Sequence, residues 1–196
     1  DVAGTSFSVW APHATAARVI GDFNDWNGVG HAMRRLDDNG VWELFVPGLG
    51  PQNAYKFEFR TASGEWVRRA DPMARFTEVP PATASVIGTT EYAWGDTNWM
   101  LQRASIDPHN SPMSVYEMHL GSWRPGLGYR ELADQLIDYL TDLAFTHVEF
   151  MPLAEHPFGG SWGYQVTGYY APTSRFGHPD DLRYLIDRLH QAGIAV

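Results

Sequence analysis

The hydrophobic period changes once along this chain, and that change limits what it can fold into. Up to about residue 88 apolar and polar residues alternate; beyond residue 112, apolar residues recur at helical spacing between short apolar runs. Alternation buries one face of a strand, whereas the longer period buries one stripe of a helix. In the first region Ser6 to Trp10 alternates and stops at Pro12, and Ala17 to Ile20 follows. Met33 to Leu36 leads into Asp37-Asp38-Asn39-Gly40, whose Asn-Gly pair signals a hairpin. Trp42, Leu44 and Val46 then share one face, as do Tyr55, Phe57 and Phe59, with Lys56, Glu58 and Arg60 opposite. Ser85 to Ile87 reads as a last strand, and the set predicts a small β-sandwich.

Residues 89–112 are polar and turn-rich, with Pro108 and Pro112 near the end, and read as a linker. Met113 to Leu120 is an apolar strand, and Leu132, Leu136, Leu140 and Leu143 mark a helix. A second strand runs from His147. Pro179 opens a further helix in the favoured first-turn position, with Asp180 and Asp181 beside its positive dipole end. Leu182, Leu185, Ile186 and Leu189 form its stripe, Gly193 closes it, and Ile194 to Val196 begins a third strand. Strand–helix–strand–helix–strand opens a parallel α/β fold. The expected boundaries are 1–105 for the sandwich plus linker and 106–196 for the α/β part. A complete (β/α)8 barrel takes about 250 residues, so the second part is expected to be the start of such a barrel, cut at strand 3 in a longer enzyme.

Partners are bounded by charge and composition. The net charge of −9 comes with no Lys/Arg block, which argues against nucleic acid and anionic membranes. No apolar run reaches the roughly 20 residues that span a bilayer, and the opening Asp-Val-Ala-Gly carries no basic-then-apolar leader. Without cysteine the chain has no disulfides or thiol chemistry, which fits a cytoplasmic setting. Eight tryptophans in 196 residues suit either carbohydrate binding or a dense aromatic core.

The chemistry concentrates between His147 and Gly177, where the apolar strand Val148 to Leu153 enters a glycine-rich aromatic loop. Trp162, Tyr164, Tyr169 and Tyr170 stand among Gly159, Gly160, Gly163 and Gly168, flat rings on a hinged loop suited to the C–H faces of a sugar. Glu155 and His156 fall at the carboxyl end of the strand, the catalytic end in barrel enzymes. A retaining glycosidase needs two carboxyls about 5–5.5 Å apart, and no pair in this chain suggests itself for those roles. Gly126-Leu-Gly128 is followed at position 131 by Glu, so it is no dinucleotide fingerprint. The eight histidines show no metal-binding spacing.

The run from Val148 to Gly177, with its Glu-His-Pro-Phe-Gly-Gly-Ser-Trp-Gly-Tyr stretch, resembles the second barrel strand and following loop of α-glucan branching enzymes of the α-amylase superfamily (glycoside hydrolase family 13). Val115-Tyr-Glu-Met-His-Leu-Gly-Ser-Trp123 resembles the first strand of that barrel, which implies mainly structural positions for Glu117 and His119; Glu149 is expected to pair inside the barrel. Gly21-Asp-Phe-Asn-Asp-Trp26, Tyr55-Lys-Phe-Glu-Phe59 and Ser63-Gly-Glu-Trp66 resemble the family-48 carbohydrate-binding module, an immunoglobulin-like β-sandwich. The resemblance implies substrate binding by Trp26, Lys56, Trp66 and Tyr164, with Tyr164 stacking on the glucose at the cleavage point. For the module residues the alternative is packing, Trp26 plugging the sandwich end and Trp66 docking the domain; Tyr169 and Tyr170 are expected to pack inside the loop. The resemblance further implies an α-glucan partner, no cofactor and no metal. It implies no catalytic residue in this segment, the nucleophile and acid/base falling beyond Val196. The implied reaction cleaves an α-1,4 bond and transfers the chain to a 6-hydroxyl. A glycosyltrehalose trehalohydrolase, or a glucan-binding or structural module without catalysis, is the alternative. His178 stands where Ser or Thr commonly caps the last helix, which puts the stability of that helix in doubt.

Overall fold

Seven short strands carry the first ninety residues: β1 (Gly4–Trp10), β2 (Ala16–Gly21), β3 (Arg34–Leu36), β4 (Val41–Pro47), β5 (Ala54–Arg60), β6 (Trp66–Arg69) and β7 (Ser85–Val86). In the computed structural model, which describes residues 2–196, they form two antiparallel sheets. One has the order β1-β4-β3; the other has the order β2-β5-β6, with β7 also on β5. Register sets the core. Phe7 faces Leu44 and Val9 faces Trp42 in the first sheet, while Ala17 faces Phe59 and Val19 faces Phe57 in the second. Phe7, Val9, Val19, Trp42, Tyr55 and Phe57 meet between the sheets, with Val19 and Phe57 fully buried. Fully burying side chains of this size contributes about 1.5–3 kcal/mol each. Phe7 and Tyr55 meet edge to face at 5.0 Å. The β-sandwich expected from the alternation is therefore present. The β3–β4 connection is a single 3-10 turn, Asp37–Asn39, followed by Gly40 at φ 80°, where glycine tolerates the left-handed backbone.

The chain divides into two compact units, one of residues up to Thr89 with Gly168–Ala171, the other Thr90–Thr167 with Pro172–Val196. The second begins with α1 (Thr97–Ser105), then β8 (Val115–Met118), the single turn α2 (Leu120–Trp123), α3 (Tyr129–Asp142) and β9 (His147–Phe150). After these come β10 (Ala154–Glu155), β11 (Gly168–Pro172), all but the last residue of which falls in the first unit, and α4 (Pro179–Gln191). β8 and β9 are parallel, Val115 facing His147 and Met118 facing Phe150. Ala195 extends this ladder as a parallel bridge to His147: its carbonyl accepts from Val148 N–H at 2.8 Å, and its N–H donates to Thr146 at 3.0 Å. Met118, Val148, Leu132, Leu136, Leu140, Leu185, Leu189 and Ile194 form the core of this unit. The helical stripes account for it, except that α3 ends at Asp142, so Leu143 lies beyond the last turn and is exposed.

Two sequence expectations are corrected here. The segment read as a linker contains α1, whose own sequence lacks a buried apolar stripe. Its anchoring comes from residues about 90 positions away: Tyr92 O–H donates to Asp187 at 2.5 Å, and Gly95 N–H donates to the same carboxylate. His190 meets Asp96 at 2.8 Å and stacks on Trp99 at 5.1 Å. Burial raises the Asp187 pKa, but the Tyr92, Gly95 and Gln191 hydrogen bonds and nearby His190 outweigh it and hold the carboxyl below its ordinary value. The second correction concerns His178. Its Nδ1 accepts from Asp180 N–H at 3.2 Å while Asp181 accepts from His178 N–H at 2.9 Å, a reciprocal cap that a neutral imidazole supplies in place of a hydroxyl.

Candidate functional site

The carboxyl ends of β8 and β9 lead into a cavity of about 230 Å³ lined by His119, Gly121, Pro152, His156, Arg175 and Phe176 among others. His156 is buried, and its Nδ1 lies 2.9 Å from the Ala154 carbonyl oxygen. A carbonyl only accepts, so Nδ1 is the donor in this contact. His119, half-buried, is held by Ser122 Oγ at 2.9 Å from Nδ1, and its ring stacks on Trp162 at 5.2 Å with 22° between planes. Trp162 takes φ 55° and Gly163 φ 89°. At Gly163 a Cβ would collide with the Pro152 carbonyl oxygen, so this turn needs glycine twice over. Tyr164 follows directly; its N–H donates to Ser161 at 3.0 Å and the residue is 66% exposed. Tyr164 is not among the residues that line the cavity.

Glu155 organises the base of this loop. Its Oε1 accepts from His156 N–H at 2.9 Å, Arg175 at 2.8 Å and Thr173 Oγ1 at 3.2 Å. Its Oε2 accepts from Ser174 N–H and Oγ, both at 2.8 Å. The residue is buried, and burial followed by the Glu155 charge pushes the nearby Tyr129 hydroxyl well above the usual tyrosine range. The acid was legible in sequence; its partners at 173–175 were not, because they lie about twenty residues on and carry no spacing signal. Glu117 and Glu149 are register partners on β8 and β9, both exposed. Tyr169 and Tyr170, expected to pack inside the loop, are instead 73% and 61% exposed. Adjacent residues of a strand point to opposite faces, so a single packed face could not have covered both.

In the sandwich, Lys56 and Trp66 lie on the outer face of the β2-β5-β6 sheet, since Trp66 pairs with Arg60, two residues on from Glu58 and four from Lys56. The same face carries Arg18, Glu58 and Arg68. Glu58 is buried and accepts from Arg18 at 2.5 Å and from Arg68 at 2.9 Å. Arg18 also lies 4.1 Å over the Trp66 ring, a cation–π contact that covers one ring face. Lys56 Nζ donates to Thr83 Oγ1 at 2.7 Å. Trp26, half-buried, donates from Nε1 to Asp22 at 3.1 Å and follows Asp25 in a pair of left-handed residues at φ 51° and 58°. Its loop folds back on the same sheet, because a Cβ on Gly28 would meet the Arg18 and Ile20 side chains. The Arg18–Glu58–Arg68 group escaped sequence reasoning because only strand register brings the three together.

The chain thus joins a sandwich with exposed aromatic and cationic side chains to a parallel α/β unit with rings at its carboxyl end. Residues 1–74 match the carbohydrate-binding module 48 family (isoamylase N-terminal domain). Over its whole length the chain is 67% identical to the 1,4-α-glucan branching enzyme GlgB of Leifsonia xyli and 65% identical to that of Thermobifida fusca. It covers 27% and 26% of those relatives, about a quarter of their length. The crystal structure of a Salmonella typhimurium protein assigned as an α-amylase superposes with a TM-score of 0.75 at 29% identity, over 97% of this chain and 30% of that one. Across its whole length, then, the chain's high-identity homologues are 1,4-α-glucan branching enzymes.

Proposed function

We propose that these residues serve a branching enzyme that cleaves α-1,4 bonds in a glucan and transfers the chain to a 6-hydroxyl, building branches in glycogen in the cytoplasm without a cofactor. In this reading the second unit is the opening of a (β/α)8 barrel and the first is a glucan-contacting module with Trp26, Lys56 and Trp66 at its surface. The carboxylate pair that performs the cleavage lies outside these residues, so the 196-residue chain alone is expected to be inactive. The observation that carries the reading is the exposed Tyr164 ring, two residues from a tryptophan stacked on His119, at the carboxyl end of parallel strands. The high identity to branching enzymes favours this reaction over trehalohydrolase chemistry. A tyrosine face against the glucose at the scissile bond supports that ring as it flattens towards an oxocarbenium-like transition state. In the full-length enzyme Tyr164→Ala should therefore lower turnover about 10²-fold or more, and Tyr164→Phe far less, because the ring remains. Turnover is read from the iodine spectrum of amylose, with circular dichroism as the check on folding. A folded Tyr164→Ala enzyme with near-native turnover overturns this assignment.

A further inference from the structure

We propose that Glu155 is a positioning residue, fixing Trp162 and Tyr164 by clamping both ends of the segment that carries them. The inference rests on the role given to Tyr164 above. The loop begins at His156 and ends at Thr173, and Glu155 holds groups at both ends: His156 N–H on one side, Thr173 Oγ1, Ser174 N–H and Oγ, and Arg175 on the other. Its main-chain carbonyl takes a further bond within the loop, from Thr167 N–H at 2.9 Å. A buried carboxylate must be matched by donors that stay in place, because leaving it unmatched is costly. Five donors converging on one ion therefore give the loop one arrangement rather than several. The main-chain bond from Thr173 N–H to Leu153 and the Trp162–His119 stack remain when the charge is removed, so the loop should loosen rather than unfold.

The full-length enzyme provides the test. Glu155→Gln keeps the shape and removes the charge that Arg175 and Ser174 address. Amide hydrogen exchange across residues 156–167 should rise at least tenfold, with 129–142 in α3 unchanged. Turnover should fall between about tenfold and a hundredfold, the range that misplacement near the chemistry produces, and KM should change much less. Glu155→Gln in a Tyr164→Ala background should add little further loss, since both act through the same ring. Ser174→Ala, which removes one donor only, should give a smaller change in the same direction and stands in if Glu155→Gln does not fold. Unchanged exchange in the loop overturns the proposal. Full additivity of the two turnover losses also overturns it, because Glu155 would then act elsewhere. If Tyr164→Ala alone retains native turnover, the proposed function fails at that residue, while the exchange result still decides whether Glu155 clamps the loop.

Discussion

In the sandwich, every side chain expected to meet sugar already has a partner: Trp26 on Asp22, Lys56 on Thr83, Trp66 beneath Arg18. In the α/β unit, Tyr164 is held by its backbone alone among the bonds described, and its ring stands in solvent. The difference teaches how each unit could use an aromatic surface. A sheet face sets its residues by register and then stiffens them with ion pairs. A loop can place a ring only as well as its ends are held.

The sharpest way to break the comparison is to release the sandwich face from its stiffening. Removing Glu58 leaves Arg18 half-buried with no carboxylate; Glu58→Ala is expected to cost about 3 kcal/mol, as broken buried pairs do, in a thermal melt of the full-length protein. It should also weaken retention in a glycogen affinity gel, because Arg18 then no longer orients Trp66. A melt within 0.5 kcal/mol of wild type would show that the register alone holds this face.

Trp66→Ala should be milder. The ring is 38% exposed, so the stability loss should be about 1 kcal/mol, in line with an exposed cation–π contact and partial burial. Glycogen retention should fall several-fold while turnover on short soluble glucans stays near native. A falling melting temperature with unchanged retention would instead make Trp66 packing only.

The anchor of the segment before the parallel strands should answer to pH. Asp187 has a folded pKa below its ordinary 3.8, so its stabilising contribution is complete above about pH 4. That contribution is lost as pH falls through the lowered value. Wild type and Asp187→Asn should therefore differ in hydrogen exchange over residues 92–105 at pH 6, and converge in strong acid. A difference that persists unchanged there would assign the anchor to Tyr92 packing rather than to the charge.

The smallest effect is at the α4 cap. His178→Ala should cost about 1 kcal/mol, the usual value of a lost helix N-cap, and His178→Ser should lie within a few tenths of wild type. A Ser variant more stable by over 1 kcal/mol would mean that the imidazole caps poorly.

Sequence alone determined the architecture of both units, because burying apolar surface is the dominant favourable term and its period is written locally. The alternation through Tyr55, Phe57 and Phe59 predicted the buried sandwich face, and Leu132, Leu136 and Leu140 predicted the α3 stripe. The glycine-rich aromatic loop also declared itself, since Gly163 and its neighbours are consecutive residues. The polar groups were decided only in three dimensions. Asp187 holds Tyr92 across about 95 positions, Glu58 draws Arg18 from a strand 40 positions away, and Glu155 draws Arg175 across a twenty-residue loop. A charge or hydroxyl has no period, and it pairs wherever burial leaves it needing a partner. Even α1, helical without a buried stripe, exists where it does because such polar partners reach it from α4.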